Sequence, residues 1–137
     1  MDAVDTNILI YVHDPRDPQK QARAAELVRS LGEAVLLWQV ACEYLANARK
    51  LAALGFDEAR AWSVIGDLTT LWRPTQPSWA VLEKARKVMA RRPVSFWDAL
   101  LIAACDEAGV TRLYSEDFGD PAPAFDGVEI VNPFRKP

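Results

Sequence analysis

Apolar and polar positions along this chain fall into short blocks of two kinds, and the blocks alternate. Residues 1–5 form a brief apolar run ending in an acid, which reads as a strand. Thr6-Asn7 leads into 8–12, which predicts a short helix, and Asp14-Pro-Arg-Asp-Pro18 is turn chemistry. Over 19–31 the apolar positions Ala24, Leu27, Val28 and Leu31 recur at helical spacing, and Gly32 stops the helix. A second apolar run, 34–37, predicts another strand. Residues 39–54 predict a helix with Val40, Tyr44 and Leu51 on one side and Leu45, Ala48 and Ala52 beside it, ended by Gly55. Asp57 is a good N-cap for a helix running to about Leu71.

Pro74 confines a strand at 72–75 to an edge or an end. Residues 79–91 are amphipathic, with Val81, Leu82, Ala85, Val88 and Met89 expected to face inward. The helix at 96–108 is apolar on most sides, so it should be central and buried, and Gly109 stops it. A strand at 110–114, a polar loop at 115–127 marked by Pro121 and Pro123, a last strand at 128–131 and a tail at 132–137 complete the chain. Strands alternating with helices imply βαβ units: a mostly parallel sheet of four or five short strands with helices on both faces.

The 137 residues fit one domain, 1–137, with no internal repeat or linker. A chain of this length buries roughly two-thirds of its unfolded surface and needs no staples. Half of the residues are hydrophobic and 26% are charged, as in a globular protein. The formal net charge of −3 gives no sign of a basic nucleic-acid coat. It does not exclude nucleic acid, because divalent cations can cover negative charge. Cys42 and Cys105, the two cysteines, lie among apolar neighbours without CxxC spacing and are expected as buried free thiols. With no leader pattern and no apolar run near ~18 residues, the expectation is a cytoplasmic protein that does not cross a membrane.

Strand order gives chemistry to the acids. Asp5 ends the first strand, and Asp117 follows the strand at 110–114, so both belong at the carboxyl edge of the sheet, where open α/β folds form sites. Glu43, one turn into the helix after the second strand, joins the same edge. Gln39, Glu43 and Asn47 form one polar stripe at i, i+4, i+8. Asp98 opens the helix feeding the strand at 110–114. If that helix is a simple crossover, the expectation is that Asp98 starts at the opposite end of the sheet. Four carboxylates in one cleft would repel, and a divalent cation removes the problem. Hard oxygen ligands suit Mg²⁺ or Mn²⁺, and with no histidine near the acids zinc does not fit. Such a site suits phosphodiester hydrolysis, the cation positioning a water and stabilising charge on phosphate.

Each acid also has a structural reading. Ser95-x-x-Asp98 resembles a capping box, Asp5 can cap the first helix, Glu43 can be solvated surface, and Asp117 can be a turn residue.

The combination is more specific. Val-Asp5-Thr-Asn7, Val-Ala-Cys-Glu43-Tyr-Leu, Ser95-Phe-Trp-Asp98-Ala-Leu-Leu-Ile-Ala-Ala, Leu-Tyr-Ser115-Glu-Asp117-Phe and Gly127-Val-Glu-Ile-Val-Asn-Pro-Phe134 occur in that order. Together they resemble a PIN domain, and within that family the VapC-type toxins of bacterial toxin–antitoxin pairs. The resemblance implies a three-layer α/β/α fold in which the first turn of the helix at 96–108 reaches the acidic cleft. It also implies a Mg²⁺- or Mn²⁺-dependent endoribonuclease, cutting single-stranded or loop RNA to leave a 3′-hydroxyl. By the same resemblance Asp5, Glu43, Asp98 and Asp117 are the acidic quartet, holding one metal or two, with Asn7 and Ser115 as polar neighbours. Glu116 and Asp120 stand beside the fourth acid, and Asp117 fits the strand-Ser-x-Asp pattern better. An antitoxin protein, whose C-terminal segment lies in the groove and places an arginine near the acids, and homodimerisation are also implied.

Arg16, Lys20, Arg23, Arg49, Lys50, Arg91 and Arg92 are candidate phosphate contacts, most of them on solvated helix faces. His13 is expected in a surface or loop role. The tryptophans are expected mostly in the core, with Trp38 or Trp97 able to line the cleft. A phosphatase of the haloacid dehalogenase type would need a second aspartate where Asn7 stands. A PIN-domain nuclease of RNA processing and a catalytically silent PIN-like binding module are the remaining alternatives.

Overall fold

The computed structural model describes residues 1–119, 122, 125 and 127–135. Five strands form one sheet: β1 (Asp2–Val4), β2 (Ala34–Leu36), β3 (Arg73–Pro74), β4 (Arg112–Tyr114) and β5 (Glu129–Val131), in the order β3-β2-β1-β4-β5 with every pairing parallel. The helices are α1 (Thr6–Tyr11), α2 (Pro18–Ser30), α3 (Trp38–Ala48), α4 (Glu58–Leu71), α5 (Trp79–Arg91) and α6 (Phe96–Glu107). They cover both faces in an α/β/α sandwich. β1 and β2 are buried almost throughout, which is why they read as unbroken apolar runs rather than alternating ones.

From β1 the chain builds outward through β2 to β3, then returns to the other side of β1 for β4 and β5. The boundary between β1 and β4 is thus a switch point, where helices diverge and leave a crevice beyond the strand ends. Backbone bonds from Asp5 N–H to Tyr114 O (2.9 Å) and from Ser115 N–H to Val131 O (2.9 Å) carry the ladder one step past the strands, fixing both residues at the mouth of that crevice.

The placement of α6 corrects one expectation. Its C-terminal end lies at the amino edge of the sheet: the N-terminus contacts Gly109 O at 3.5 Å, and Thr111 N–H donates to Met1 O at 2.9 Å. A helix that feeds a parallel strand runs antiparallel to it. Its first turn, with Asp98, therefore starts at the carboxyl edge, as a simple crossover requires.

Other corrections concern burial. The helix expected over 39–54 is α3 followed by a tighter 3₁₀ segment, Arg49–Leu54, closed by Gly55 at φ 92°. Cys42 is exposed, because Val40, Tyr44 and Ala48 take the core face of α3; Cys105 is buried. α6 buries Ala99, Leu101, Ile102, Ala103 and Cys105, but its first turn presents Phe96 and Trp97 to solvent. On α5, Val81 and Ala85 are buried while Leu82 and Met89 are exposed. Of the tryptophans only Trp72 is in the core; Trp38, Trp62, Trp79 and Trp97 are more than half exposed. His13 is half-buried, its ring stacked on Phe56 at 4.0 Å, so it packs rather than standing free in a loop. Among the described residues, no helix is long and apolar enough to cross a membrane. Pro121, Pro123 and Asp120 of the expected polar loop, and the end of the expected tail, lie outside the described residues.

Candidate active site

Asp5 is the inner member of the acidic group. It is the N-cap of α1, and Oδ1 accepts from Thr6 N–H at 2.7 Å. Oδ2 accepts from the buried Ser115 hydroxyl at 2.7 Å, and the same Ser115 oxygen accepts from Asp117 N–H at 3.1 Å. One hydroxyl thus ties the ends of β1 and β4 together. Burial pushes the Asp5 carboxyl up to about 6, against the lowering effect of its bonds to Ser115 and Thr6, and the charges of Asp117 and Glu43 push it the same way.

Glu43 reaches this group from α3. Its Oε2 accepts from the Thr6 hydroxyl at 2.7 Å and its Oε1 from Gln39 Nε2 at 3.0 Å. Thr6 therefore holds Asp5 through its backbone and Glu43 through its side chain. The polar stripe on α3 has a structural meaning: Gln39 positions the carboxylate and also reaches Trp97 O on α6 at 3.4 Å, while Asn47 Nδ2 binds Glu43 O at 2.8 Å.

Asp117 sits on the outer side, receiving the Asn7 amide at 3.1 Å. Its carboxyl is raised by burial first, then by the charge of Glu116; Asp98 also raises it, while interactions with Asp5 and Asn7 hold it down. Asp98 faces Asp117 from the first turn of α6. Ser95 Oγ accepts from Asp98 N–H at 3.1 Å, so half of the expected capping box forms. Among the described residues the Asp98 carboxylate makes no hydrogen bond of its own. The charges of Glu43 and Asp117 reach Asp5 and that of Asp98 reaches Asp117, which orders the four acids as a row, Glu43–Asp5–Asp117–Asp98.

Glu116 does not join them. Its Oε2 is paired with Lys20 Nζ at 2.8 Å, and Oε1 accepts from the Tyr11 hydroxyl. Lys20 lies over the rings of Tyr11 and Phe134, which themselves pack edge to face. This clamp turns one of two adjacent acids outward and leaves the other to the crevice. Thr6 and Tyr11 are not among the site residues expected from the sequence, and Lys20, expected as a phosphate contact, is instead paired with Glu116. Thr6 sits inside the Asp-Thr-Asn motif and was discoverable there. A lysine meeting a glutamate 96 residues away leaves no local signal.

The donor set is all oxygen, as a hard divalent cation prefers, with Asp5 buried and raised to about 6 and Asp117 raised chiefly by burial. Among the described residues no three acidic, histidine or cysteine side chains, as they stand, form a group that could hold a metal ion. Of the cations considered for phosphate contacts, Arg16 is paired with Asp14, Lys20 with Glu116, and Arg23 donates to Pro133 O at 3.1 Å. Beside the acids, Trp38, Trp79, Leu82 and Leu100 line an apolar groove of about 400 Å³.

A PIN domain family model matches residues 3–119. No curated protein sequence matches the chain. Among solved structures, the crystal structure of Mycobacterium tuberculosis VapC20, described as a toxin that cleaves the sarcin–ricin loop, superposes with a TM-score of 0.65 at 21% identity, over 85% of this chain and 90% of that one. A toxin–antitoxin complex from Klebsiella pneumoniae superposes with a TM-score of 0.74 at 18% identity, over 99% of this chain and 100% of that one.

Proposed function

The chain belongs to the PIN domain family, and from that membership we propose that it is a Mg²⁺-dependent endoribonuclease, the toxin of a VapBC-type toxin–antitoxin pair. The observation that carries this reading is the row Glu43–Asp5–Asp117–Asp98 at the sheet's switch point, all hard oxygen donors and one of them buried. The two similar structures, one described as an RNA-cleaving toxin and one as a toxin–antitoxin complex, support the same direction.

A divalent cation in this cleft, Mg²⁺ with Mn²⁺ as a substitute, would polarise the scissile phosphate and lower the pKa of an attacking water. Asp5, Asp98 and Asp117 would hold it, with Glu43 completing the quartet. Ser115 and Thr6 fix the Asp5 carboxyl plane, and Thr6 and Gln39 fix Glu43, so these two acids are oriented in advance. Asn7 orients Asp117 from outside. Among the described residues the serine between the acids, Ser115, is buried with its hydroxyl committed to Asp5, which favours direct hydrolysis over a covalent intermediate.

The partners of this reading are RNA, a cognate antitoxin protein and a second copy of the chain. The apolar groove beside the acids, with Trp79 86% exposed, supports a protein partner, since contiguous exposed apolar surface marks such contacts. A PIN-domain nuclease of RNA processing would share the cleft and differ in lacking an antitoxin.

The test is a matched pair, wild type and Asp98→Asn, assayed on RNA with Mg²⁺, with Mn²⁺ and with chelator. Wild type is expected to cleave with either cation and not with chelator. The variant is expected to lose at least about 100-fold in rate, the scale of removing one group that stabilises a transition state. Equal cleavage by both proteins, or cleavage indifferent to chelator, would sink the proposal.

A further inference from the structure

On α5, away from the acids, lies a second concavity of about 410 Å³ between α5 and α6. Lys84, Lys87, Arg91 and Arg92 surround it, over a floor that includes Val88 and Phe125. A chain of net charge −3 thus gathers four cations along one short stretch. Lys84, Lys87 and Arg91, at i, i+3 and i+7, share one face of the helix, where like charges repel, and Arg92 continues the row at its C-cap. Part of that repulsion is relieved internally: Lys84 pairs with Asp106 at 2.7 Å and Glu107 at 3.0 Å, and Arg91 is also engaged. Lys87 and Arg92 are exposed; Lys87 feels the charge of Glu83 one turn back, and among the described residues neither side chain makes a hydrogen bond.

The direction of the row matters as much as its charge. Lys84, paired with the end of α6, lies toward the amino edge of the sheet. Arg92 follows the last turn of α5, three residues before Ser95, which caps the helix carrying Asp98. The cations therefore run over about 12 Å toward the acidic cleft, long enough to meet more than one phosphate. An acidic cleft repels any polyanion, so a nucleic acid entering it needs an anchor outside it. The apolar floor suits a ribose or base placed between phosphate contacts.

We propose that this row on α5 is the track by which the backbone of single-stranded RNA is led to the acids. The proposal rests on the nuclease reading, and it adds where the substrate lies. An acidic protein segment would meet the same charges, but nothing would require it to follow the row to the catalytic edge.

The experiment is fluorescence anisotropy with a short fluorescein-labelled oligouridine, in chelator so that no cleavage intervenes, between about 50 and 200 mM salt. Lys87→Ala/Arg92→Ala is compared with wild type and with Arg29→Ala/Arg112→Ala, which removes the same charge elsewhere; circular dichroism checks folding. Two lost phosphate contacts flatten the slope of log affinity against log salt by about 1.4 and weaken binding roughly twentyfold near 0.1 M salt. The control pair should leave both close to wild type. Equal effects of the two pairs, or no effect of the α5 pair, would overturn the track. So would RNA binding that stays unchanged while capture of a labelled polyglutamate peptide is lost. Failure of the nuclease reading is seen separately: RNA bound through α5 but never cut refutes that reading and leaves the track, whereas cutting with unaltered binding does the reverse.

Discussion

Asp5 serves as helix cap, as hydrogen-bond hub with Ser115, and as the innermost acid of the row. These roles conflict with burial, and its carboxyl titrates near 6 in consequence. A raised carboxyl pKa means that the folded protein binds this proton more tightly than the unfolded chain does. Its contribution to stability is therefore most favourable below the ordinary carboxylate value. It is lost as pH rises to about 6 and is constant above that. A shift from 3.8 to about 6 corresponds to a cost on the order of 3 kcal/mol. In chelator, Asp5→Asn should gain thermal stability relative to wild type as pH rises from about 4 to 6, then hold that difference. A difference in melting temperature that does not change with pH would contradict this account. The strain is what a cation would relieve, so adding Mg²⁺ at neutral pH should stabilise wild type more than the Asn variant.

At the scale of elements, the first turn of α6 separates two roles that a sequence motif superimposes. Ser95 caps the helix by accepting from Asp98 N–H, whereas the Asp98 carboxylate is turned toward Asp117. Ser95→Ala should cost about 1 kcal/mol of stability, the usual loss of an N-cap, measured by denaturant unfolding. It should leave cleavage within a few-fold of wild type. Asp98→Asn should show the opposite pattern, near-native stability and lost cleavage. If Ser95→Ala also abolishes cleavage in a folded protein, the cap and the site are not separable. The same logic applies to the two acids after β4. The side chains of Tyr11 and Lys20, on α1 and α2, decide which one faces the crevice, by holding Glu116 on the far side.

For the whole molecule, the alternation of strands and helices was legible because burial on both sheet faces writes continuous apolar runs and 3.6-residue stripes into the chain. The positions of Asp5, Glu43 and Asp117 followed from the rule that sites form beyond the carboxyl ends of parallel strands. Asp98 was misplaced only where the direction of a crossover helix was misjudged. What the sequence did not reveal was pairing across long separations. Lys20 with Glu116 and Thr6 with Glu43 depend on the docking of α1, α2 and α3 at the crevice, and no local pattern encodes it. Exposure was misjudged for a related reason. Trp62 and Trp79 look like core residues yet are 58% and 86% exposed, Trp79 at the apolar groove, whereas Trp38 and Trp97, expected as able to line the cleft, are exposed as well.

The central claim is that these acids, and not Glu116, form a cation site. Its most direct test is a Mn²⁺ titration followed by the electron paramagnetic resonance signal of the free ion, on wild type, Asp5→Asn and Glu116→Gln at neutral pH. Wild type and Glu116→Gln should bind Mn²⁺ within about threefold of each other, and Asp5→Asn should bind at least tenfold more weakly, in keeping with loss of a direct oxygen ligand. Equal binding by all three proteins, or a loss confined to Glu116→Gln, would contradict the account.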